Sequence, residues 1–257
     1  MHDVHPQGPS SATTMPQPPI AFVTGAAQGI GLATTERLAR DGFRVVAMDR
    51  QRDALETAVA ALAQQGLAVE AAVVDVCDRA SVAAALDTQP RIDAMVCAAG
   101  IYNDAPFLDL EETAFRTMLE VNVVGTFIPA QEAARRMQAG GRIVTISSRG
   151  ALGGTRFAHY VASKSAVIGL TRAMAMELRD RQIAVNSVAP GFTDTPMTRS
   201  APPELFAAWE AIEPSGKAAT PAVIANAIAF LASPATQFIT GQTLFVDGGK
   251  SLGGQGI

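Results

Sequence analysis

The chain has 257 residues, 48% of them hydrophobic, which is enough for one large α/β core and too few for two comfortable ones. Its formal net charge of -4 argues against a nucleic-acid partner, because phosphate binding wants a basic face. Cys77 and Cys97, the two cysteines, fall in apolar runs without metal-ligand spacing and read as reduced core thiols.

Residues 1 to about 18 are rich in Pro, Ser, Gln and Thr and read as a flexible leader, with no role assigned to His2 or His5. No Lys or Arg precedes Arg37, so the charged start of a signal peptide is missing. No apolar run reaches the length of a membrane span, and the expectation is a cytoplasmic protein.

From Ile20 onward, β-branched runs alternate with Ala/Leu-rich stretches. A strand at 20–24 leads into Thr24-Gly25-Ala26-Ala27-Gln28-Gly29-Ile30-Gly31, which opens a helix at 29–41. Gly25 permits the tight turn, Gly29 lets backbone approach a pyrophosphate, and Gly31 allows close helix–strand packing. The helix start then offers unpaired N–H groups to the phosphates. A second strand, 43–48, runs into Asp49, 24 residues after Gly25. A carboxylate there can accept from both adenine-ribose hydroxyls and repels a 2′-phosphate, which favours NAD. The neighbouring Arg50 could pair with such a phosphate, but the repulsion from Asp49 should win.

Next come a helix at 52–65 and a strand at 68–74. Asp75 either accepts from the adenine amine or caps the helix at 79–87. A strand at 92–98 precedes a long helix at 112–138 that carries Asn122, which alone could be a polar residue bonded back to its helix. The strand at 142–147 ends in Ser147 and Ser148. A helix at 157–180, a strand at 183–188, a helix at 220–232 and a strand at 243–246 complete the series. Several strands, such as Arg44–Met48 and, but for Thr145, Arg142–Ile146, are apolar after their first residue, the mark of parallel strands covered on both faces. Seven strands with intervening helices imply a doubly wound α/β sheet of Rossmann type, with helices on both faces. The proline-rich stretch 193–217, with Phe206 and Trp209, follows a strand end and reads as a lid over the crevice, or else as a surface helix whose aromatics pack down.

Tyr160 and Lys164 begin the helix at 157–180 with i,i+4 spacing, on one face. A phenol of pKa about 10 is about 0.1% ionised at neutral pH. An ammonium about 4 Å away, at an effective dielectric near 20, is worth on the order of 4 kcal/mol, or about three pKa units. Such a shift suits a phenol to acid–base work near pH 7. Lys164 is also one of only three lysines in the chain.

These motifs, in order and spacing from about Ile20 to Gly249, resemble those of the compact short-chain dehydrogenases/reductases. The glycine loop fits that family's T-G-x-x-x-G-x-G, Val121-Asn122-Val123 fits its N-V, and Tyr160/Lys164, Pro190-Gly191, Thr193, Thr195 and Val246-Asp247-Gly248-Gly249 follow in turn. Cys97-Ala98-Ala99-Gly100 departs from its N-N-A-G, losing side-chain hydrogen bonds in the sheet. The resemblance implies hydride transfer between NAD(H) and a secondary alcohol or ketone, with Tyr160 exchanging the substrate proton and Lys164 holding the nicotinamide ribose. It implies a serine on the substrate oxygen and Asn122 holding a water that joins Lys164 to solvent. Pro190, Gly191, Thr193 and Thr195 would grip the nicotinamide amide, Thr195 also being readable as a helix cap. Further cofactor contacts are expected at Gln28, Ile30, Val76, Ala98, Ala99 and Gly100.

Many relatives place the serine 13 residues before the tyrosine, which falls on Ser147, whereas alignment on the strand selects Ser148. The strand is the more rigid reference, so Ser148 is chosen. A non-catalytic sensor would be expected to lose Tyr160 or Lys164, and Asp49 and Gln28 argue against an NADPH-dependent acyl-carrier-protein reductase. A methyltransferase is excluded by the tyrosine–lysine pair. Met197, Leu205, Phe206 and Trp209 suggest a partly apolar substrate, with Arg156 and His159 as candidate partners for a polar substituent. A homotetramer is expected by resemblance and because the helix at 157–180 is apolar on more than one face, with Ala166, Leu170, Ala173, Met174 and Leu178 assigned to the sheet side and Val167, Ile168 and Met176 left over.

Overall fold

A computed structural model describes residues 17–253, so nearly all of the expected leader and the last four residues lie outside the described part. Seven strands form one parallel sheet in the order β3-β2-β1-β4-β5-β6-β7, where β1 is Ile20–Thr24, β2 Arg44–Asp49, β3 Val69–Val73, β4 Ala94–Cys97, β5 Arg142–Ile146, β6 Ala184–Pro190 and β7 Thr243–Val246. The chain winds outward from β1 to β3, then returns to place β4 on the other side of β1, with Val23 opposite both Ala47 and Val96. That reversal makes the crevice at the strand carboxyl ends beside β1 the place for a ligand.

Side-chain alternation divides the core into two layers. Val23, Val45, Ala47 and Val96 face one way, onto Leu38 of α1 (Gly29–Arg40), Leu55 of α2 (Arg52–Gln64) and Ile224 and Ile228 of α9 (Pro221–Ala232). Phe22, Val46, Met48 and Met95 face the other way, onto Val82 and Leu86 of α3 (Arg79–Leu86), Ile128 of α5 (Gly125–Arg136) and Ala175 of α6 (Ala158–Leu178). Both faces are therefore covered, as continuously apolar strands require.

Two helices depart from expectation. The helix expected at 112–138 is α4 (Glu112–Leu119), one π-helical turn at Glu120–Val124, then α5. On α6 the buried residues are His159, Ser163, Lys164, Val167, Thr171 and Ala175, while Ala166 and Ala173 are exposed, so the assignment of sheet-facing residues is corrected. Polar groups can occupy that face because each finds a partner. Thr171 Oγ1 lies 2.7 Å from Thr145 Oγ1, and Ser163 Oγ donates to the Tyr160 carbonyl at 2.8 Å.

Candidate active site

At the carboxyl ends of β1 and β4 lies a cleft of about 370 Å³, lined by the glycine loop, Asp49, Asp75, Val76, Ala98, Ala99, Gly100 and Thr195 among others. The glycines are needed by contact as well as by dihedral angle. Gly25 has φ +68°, and a Cβ on it would stand 2.8 Å from the Ala99 Cα, while one on Gly31 would overlap the Gly25 carbonyl oxygen. Gly29, at φ +58°, leaves 3.5 Å to the Thr195 side chain across the cleft. Gln28, the N-cap of α1, makes no side-chain cap bond, so the first N–H groups of the helix stay available. A loop that only glycines can build, with an uncapped helix start at its floor, fits a dinucleotide pyrophosphate.

Asp49 is held at the far end of the cleft by the Ala27 N–H at 3.1 Å and the Gln51 N–H at 3.0 Å. A carboxylate has about four acceptor sites, so two backbone donors leave capacity for ribose hydroxyls. Arg50 and Gln51 line the same rim. Of the two readings of Asp75, capping is ruled out, because Asp78 caps α3 by accepting from the Ala80 N–H at 2.9 Å. Asp75 instead accepts from the Cys77 N–H at 2.9 Å and faces the cleft. Cys77 also lines it and is only partly buried, so the reading of two core thiols holds for Cys97 alone. Burial, with Asp75 and Glu120 nearby, pushes the Cys77 thiol up to about 11. Among the described residues no cluster of metal-ligating side chains occurs.

The missing asparagines of β4 are answered by Thr24, whose hydroxyl accepts from the Ala98 and Ala99 N–H groups at 3.0 and 3.1 Å. Gly100 then brings the cleft to the ionisable groups. A Cβ on it would lie 3.1 Å from Asn122 Oδ1 and 3.5 Å from Lys164 Nζ. Asn122 is wholly buried in the π turn, accepting from the Ile101 N–H at 2.8 Å and donating to the Ile101 carbonyl and Ser163 Oγ, each at 3.1 Å.

Ser148 and Tyr160 face each other across Gly150, where a Cβ would lie 3.2 Å from Ser148 Oγ and 3.3 Å from the Tyr160 ring. The Ser147 hydroxyl points away and donates to the Lys164 carbonyl at 2.8 Å. Lys164 Nζ donates to the Ile146 carbonyl at 2.9 Å and stands 5.7 Å from the Tyr160 ring centroid. Burial brings this ammonium down to about 8. Burial also raises the Tyr160 phenol above its usual value, and the nearby Ser148 hydroxyl opposes this only in part. The expected lowering of the phenol by Lys164 is therefore reversed, because desolvation outweighs a cation engaged with a carbonyl.

Pro190, Gly191 and Thr193, like Ser148, Tyr160 and Lys164, stand beyond the residues that line the cleft. Pro190 ends β6, the Thr193 hydroxyl donates to the Gly191 carbonyl at 3.1 Å, and a Cβ on Gly191 would meet Asp247 at 2.8 Å. Thr195 caps α7 (Pro196–Arg199) in a box with Thr198 and also lines the cleft. Met197 also lines the cleft. In α8 (Pro203–Ala211) the aromatics turn inward, with Phe206 buried and Phe192 5.0 Å from Phe206 and 5.6 Å from Trp209 between ring centroids. Of the four lid residues offered as substrate contacts, Met197 alone reaches the cleft.

Arg156 and His159 are likewise committed elsewhere, Arg156 to Asp104 at 3.0 Å and the buried His159 to Asn103 at 2.5 Å. Tyr102, by contrast, has no motif to mark it in the sequence, yet it lines the cleft edge-on to Tyr160. Its one signal is scarcity, since it is the only tyrosine besides Tyr160.

Residues 25–251 match the family model described as "Enoyl-(Acyl carrier protein) reductase". A cis-4-hydroxycyclohexanecarboxylate dehydrogenase of Sinomonas cyclohexanicum is 40% identical, over 90% of this chain and 95% of that one. The solved structure of a short-chain dehydrogenase/reductase from Serratia marcescens superposes with a TM-score of 0.85 at 36% identity, covering 91% of this chain and 98% of that one. A variant of the actinorhodin polyketide ketoreductase, crystallised with NADPH, also superposes at 0.85, with 30% identity over 91% of this chain and 97% of that one.

Proposed function

The chain belongs to the short-chain dehydrogenase/reductase family of oxidoreductases, and we propose that it moves a hydride between NAD(H) and a secondary alcohol or its ketone. The observation that carries this reading is the grouping of Ser148 and Tyr160 across Gly150 with Lys164, whose Nζ stands beside the Tyr160 ring and near Gly100 at the end of a glycine-built cleft. When bound, the nicotinamide would supply or accept the hydride. Gly25, Gln28, Gly29, Ile30 and Gly31 would hold the pyrophosphate, Asp49 the adenine ribose, and Asp75 and Val76 the adenine. Ala98, Ala99, Gly100 and Lys164 would hold the nicotinamide ribose, with Thr195 closing over it from α7. Pro190, Gly191 and Thr193 would reach the carboxamide from the end of β6.

Tyr160 would exchange a proton with the substrate oxygen at its hydroxyl while Ser148 donates a hydrogen bond to that oxygen. Asn122 would fix the π turn and hold a water on the way from Lys164 to solvent. A phenol that burial keeps protonated is in the right form to give its proton to a ketone oxygen. Alcohol oxidation needs the phenolate, so oxidation should gain with rising pH where reduction does not. A cyclic substrate is supported by the cyclohexane carbinol named for the Sinomonas relative. We place the enzyme in the cytoplasm as a homotetramer, a compartment in which free thiols such as Cys77 and Cys97 stay reduced. Among the described residues no helix is long and apolar enough to cross a membrane.

One other reading is reduction of the 3-oxo group of an acyl-carrier-protein thioester with NADPH as hydride donor, supported by the 3-oxoacyl-[acyl-carrier-protein] reductase of Thermotoga maritima, which is 36% identical over 90% of this chain. Asp49 separates the two. On our reading NAD exceeds NADP in kcat/KM by at least about tenfold, and Asp49→Ala narrows the gap. Tyr160→Phe should abolish turnover and leave NADH binding within about threefold, since it removes the proton carrier and little else. A preference for NADPH with a 3-oxoacyl thioester would overturn the reading in favour of the other, and retained activity in Tyr160→Phe would mean that another acid serves.

A further inference from the structure

We propose that Tyr102 is the specificity-determining residue of the substrate site, its ring forming the flat wall against which a cyclic secondary alcohol packs while the carbinol carbon faces Tyr160. The inference rests on the functional reading above and adds the class of substrate that the wall selects.

Position comes first. Tyr102 follows Ile101, whose N–H and carbonyl are both bonded by the Asn122 side chain, so the backbone entering Tyr102 is anchored to a buried group. Its ring meets the Tyr160 ring at 86° with centroids 5.1 Å apart. Phe157 closes the third side, with centroids 6.0 Å from Tyr102 and 6.2 Å from Tyr160. Three rings thus make a corner around the phenol that would hold the substrate oxygen.

The corner is also tied to the chain around Tyr160. Asn103 Oδ1 lies 2.5 Å from Nε2 of the fully buried His159. Asp104 pairs with Arg156, and the Ala105 N–H donates to the Arg156 carbonyl at 2.7 Å. The three residues after Tyr102 are therefore each tied to Arg156 or to His159 in the first turn of α6. Arg156 sits at φ +70°, a left-handed conformation that a non-glycine residue adopts only at a cost the surrounding contacts must offset. These ties fix the angle between Tyr102 and Tyr160.

A wall of this kind discriminates by shape. A rigid ring can lay one whole face on an aromatic surface, with geometry that favours aromatic and alicyclic contact. An open chain must freeze its rotors to cover the same area, and loses part of the gain in doing so. Asn103 and His159 act through Tyr102 and are positioning residues.

The test compares cyclohexanol with hexan-2-ol, in kcat/KM with NAD, on the full-length enzyme. The wild type should favour the ring by about tenfold or more. Tyr102→Ala should cost the ring substrate about tenfold and leave the open chain within about threefold, while Tyr102→Phe keeps the preference. Asn103→Ala should shift the ring-to-chain ratio in the same direction as Tyr102→Ala, with the Kd for NADH unchanged, which a general loss of structure would not do. Equal losses for both alcohols in Tyr102→Ala, an unchanged ratio, or loss of the preference in Tyr102→Phe would each overturn the wall. If the wild type turns over neither alcohol nor its ketone with NAD or NADP, the functional reading falls and takes this proposal with it.

Discussion

Ser147 and Ser148 are adjacent and chemically identical, yet their surroundings give them different work. Ser147 Oγ stitches β5 to the α6 carbonyl of Lys164, while the Ser148 hydroxyl accepts from the Gly150 N–H at 3.0 Å and faces the Tyr160 ring across Gly150. Ser148→Ala should lower kcat/KM by about 10²-fold or more, as loss of an oxyanion donor does. Ser147→Ala should instead cost about 1 kcal/mol of stability, measured by denaturant unfolding, with turnover largely kept. The reverse pattern would reassign the substrate contact. Lys164 carries a pH signature of its own. Its pKa falls from 10.5 to about 8 in the folded chain because the ammonium is buried. Between pH 8 and 10.5 the unfolded chain therefore binds more protons at this site than the native one, so this residue's contribution to stability rises with pH across that window. The gain is on the order of 3 kcal/mol from the size of the shift. Cys77 and Cys97, whose thiols are raised, oppose it above about pH 9, so the informative quantity is the difference between wild type and Lys164→Met. That difference should grow in favour of the wild type from pH 7.5 to 9.5, and a flat difference would mean that Lys164 keeps its ordinary pKa.

At the scale of elements, two neighbouring aspartates separate capping from binding. Asp78→Ala should cost about 1 kcal/mol of stability through α3, with little change in the Kd for NAD. Asp75→Ala should weaken NAD binding and leave the unfolding midpoint nearly unchanged, because it caps nothing. Titration calorimetry and urea unfolding on the two variants decide the matter, and a loss of stability in Asp75→Ala alone would sink the assignment. The π turn at Glu120–Val124 shows what periodicity cannot convey. A continuous helical pattern was fully compatible with the sequence there, but one inserted residue per turn rotates Asn122 inward, where its amide bonds Ile101 and Ser163. Pro129, whose missing N–H would break a helix interior, is accommodated in the second turn of α5 beyond that insertion.

For the whole molecule, the outer face of α6 is the feature that asks for a partner. Ala166, Gly169 and Ala173 are exposed along it, and Met176 is 69% exposed. An apolar helical stripe of small residues with a protruding methionine is costly in water and suits close packing against another helix. Light scattering should give about four times the chain mass of 26.7 kDa, and Met176→Glu should shift the enzyme toward smaller species. Scattering at the monomer mass would contradict the assembly.

What the sequence determined by itself was the part governed by local pattern. Continuous apolar runs implied parallel strands, the helical stretches between them implied the doubly wound sheet, and the glycine spacing, Asp49 and the Tyr160/Lys164 interval located the cleft. Each of these is a rule about neighbours in the chain, so one dimension suffices to read it. Only the tertiary structure decided which groups would touch across the sheet. It turned Val167 inward and Ala166 outward, because hydrogen bonds to β5 made a polar face of α6 the buried one. It engaged Arg156 and His159 with Asp104 and Asn103, segments more than 50 residues away, instead of leaving them for a substrate. It reversed the direction of the Tyr160 shift, since desolvation depends on everything packed around a group and not on the charge four residues along. It also brought Tyr102 against Tyr160, 58 positions apart in sequence, through a chain of contacts that no spacing rule encodes.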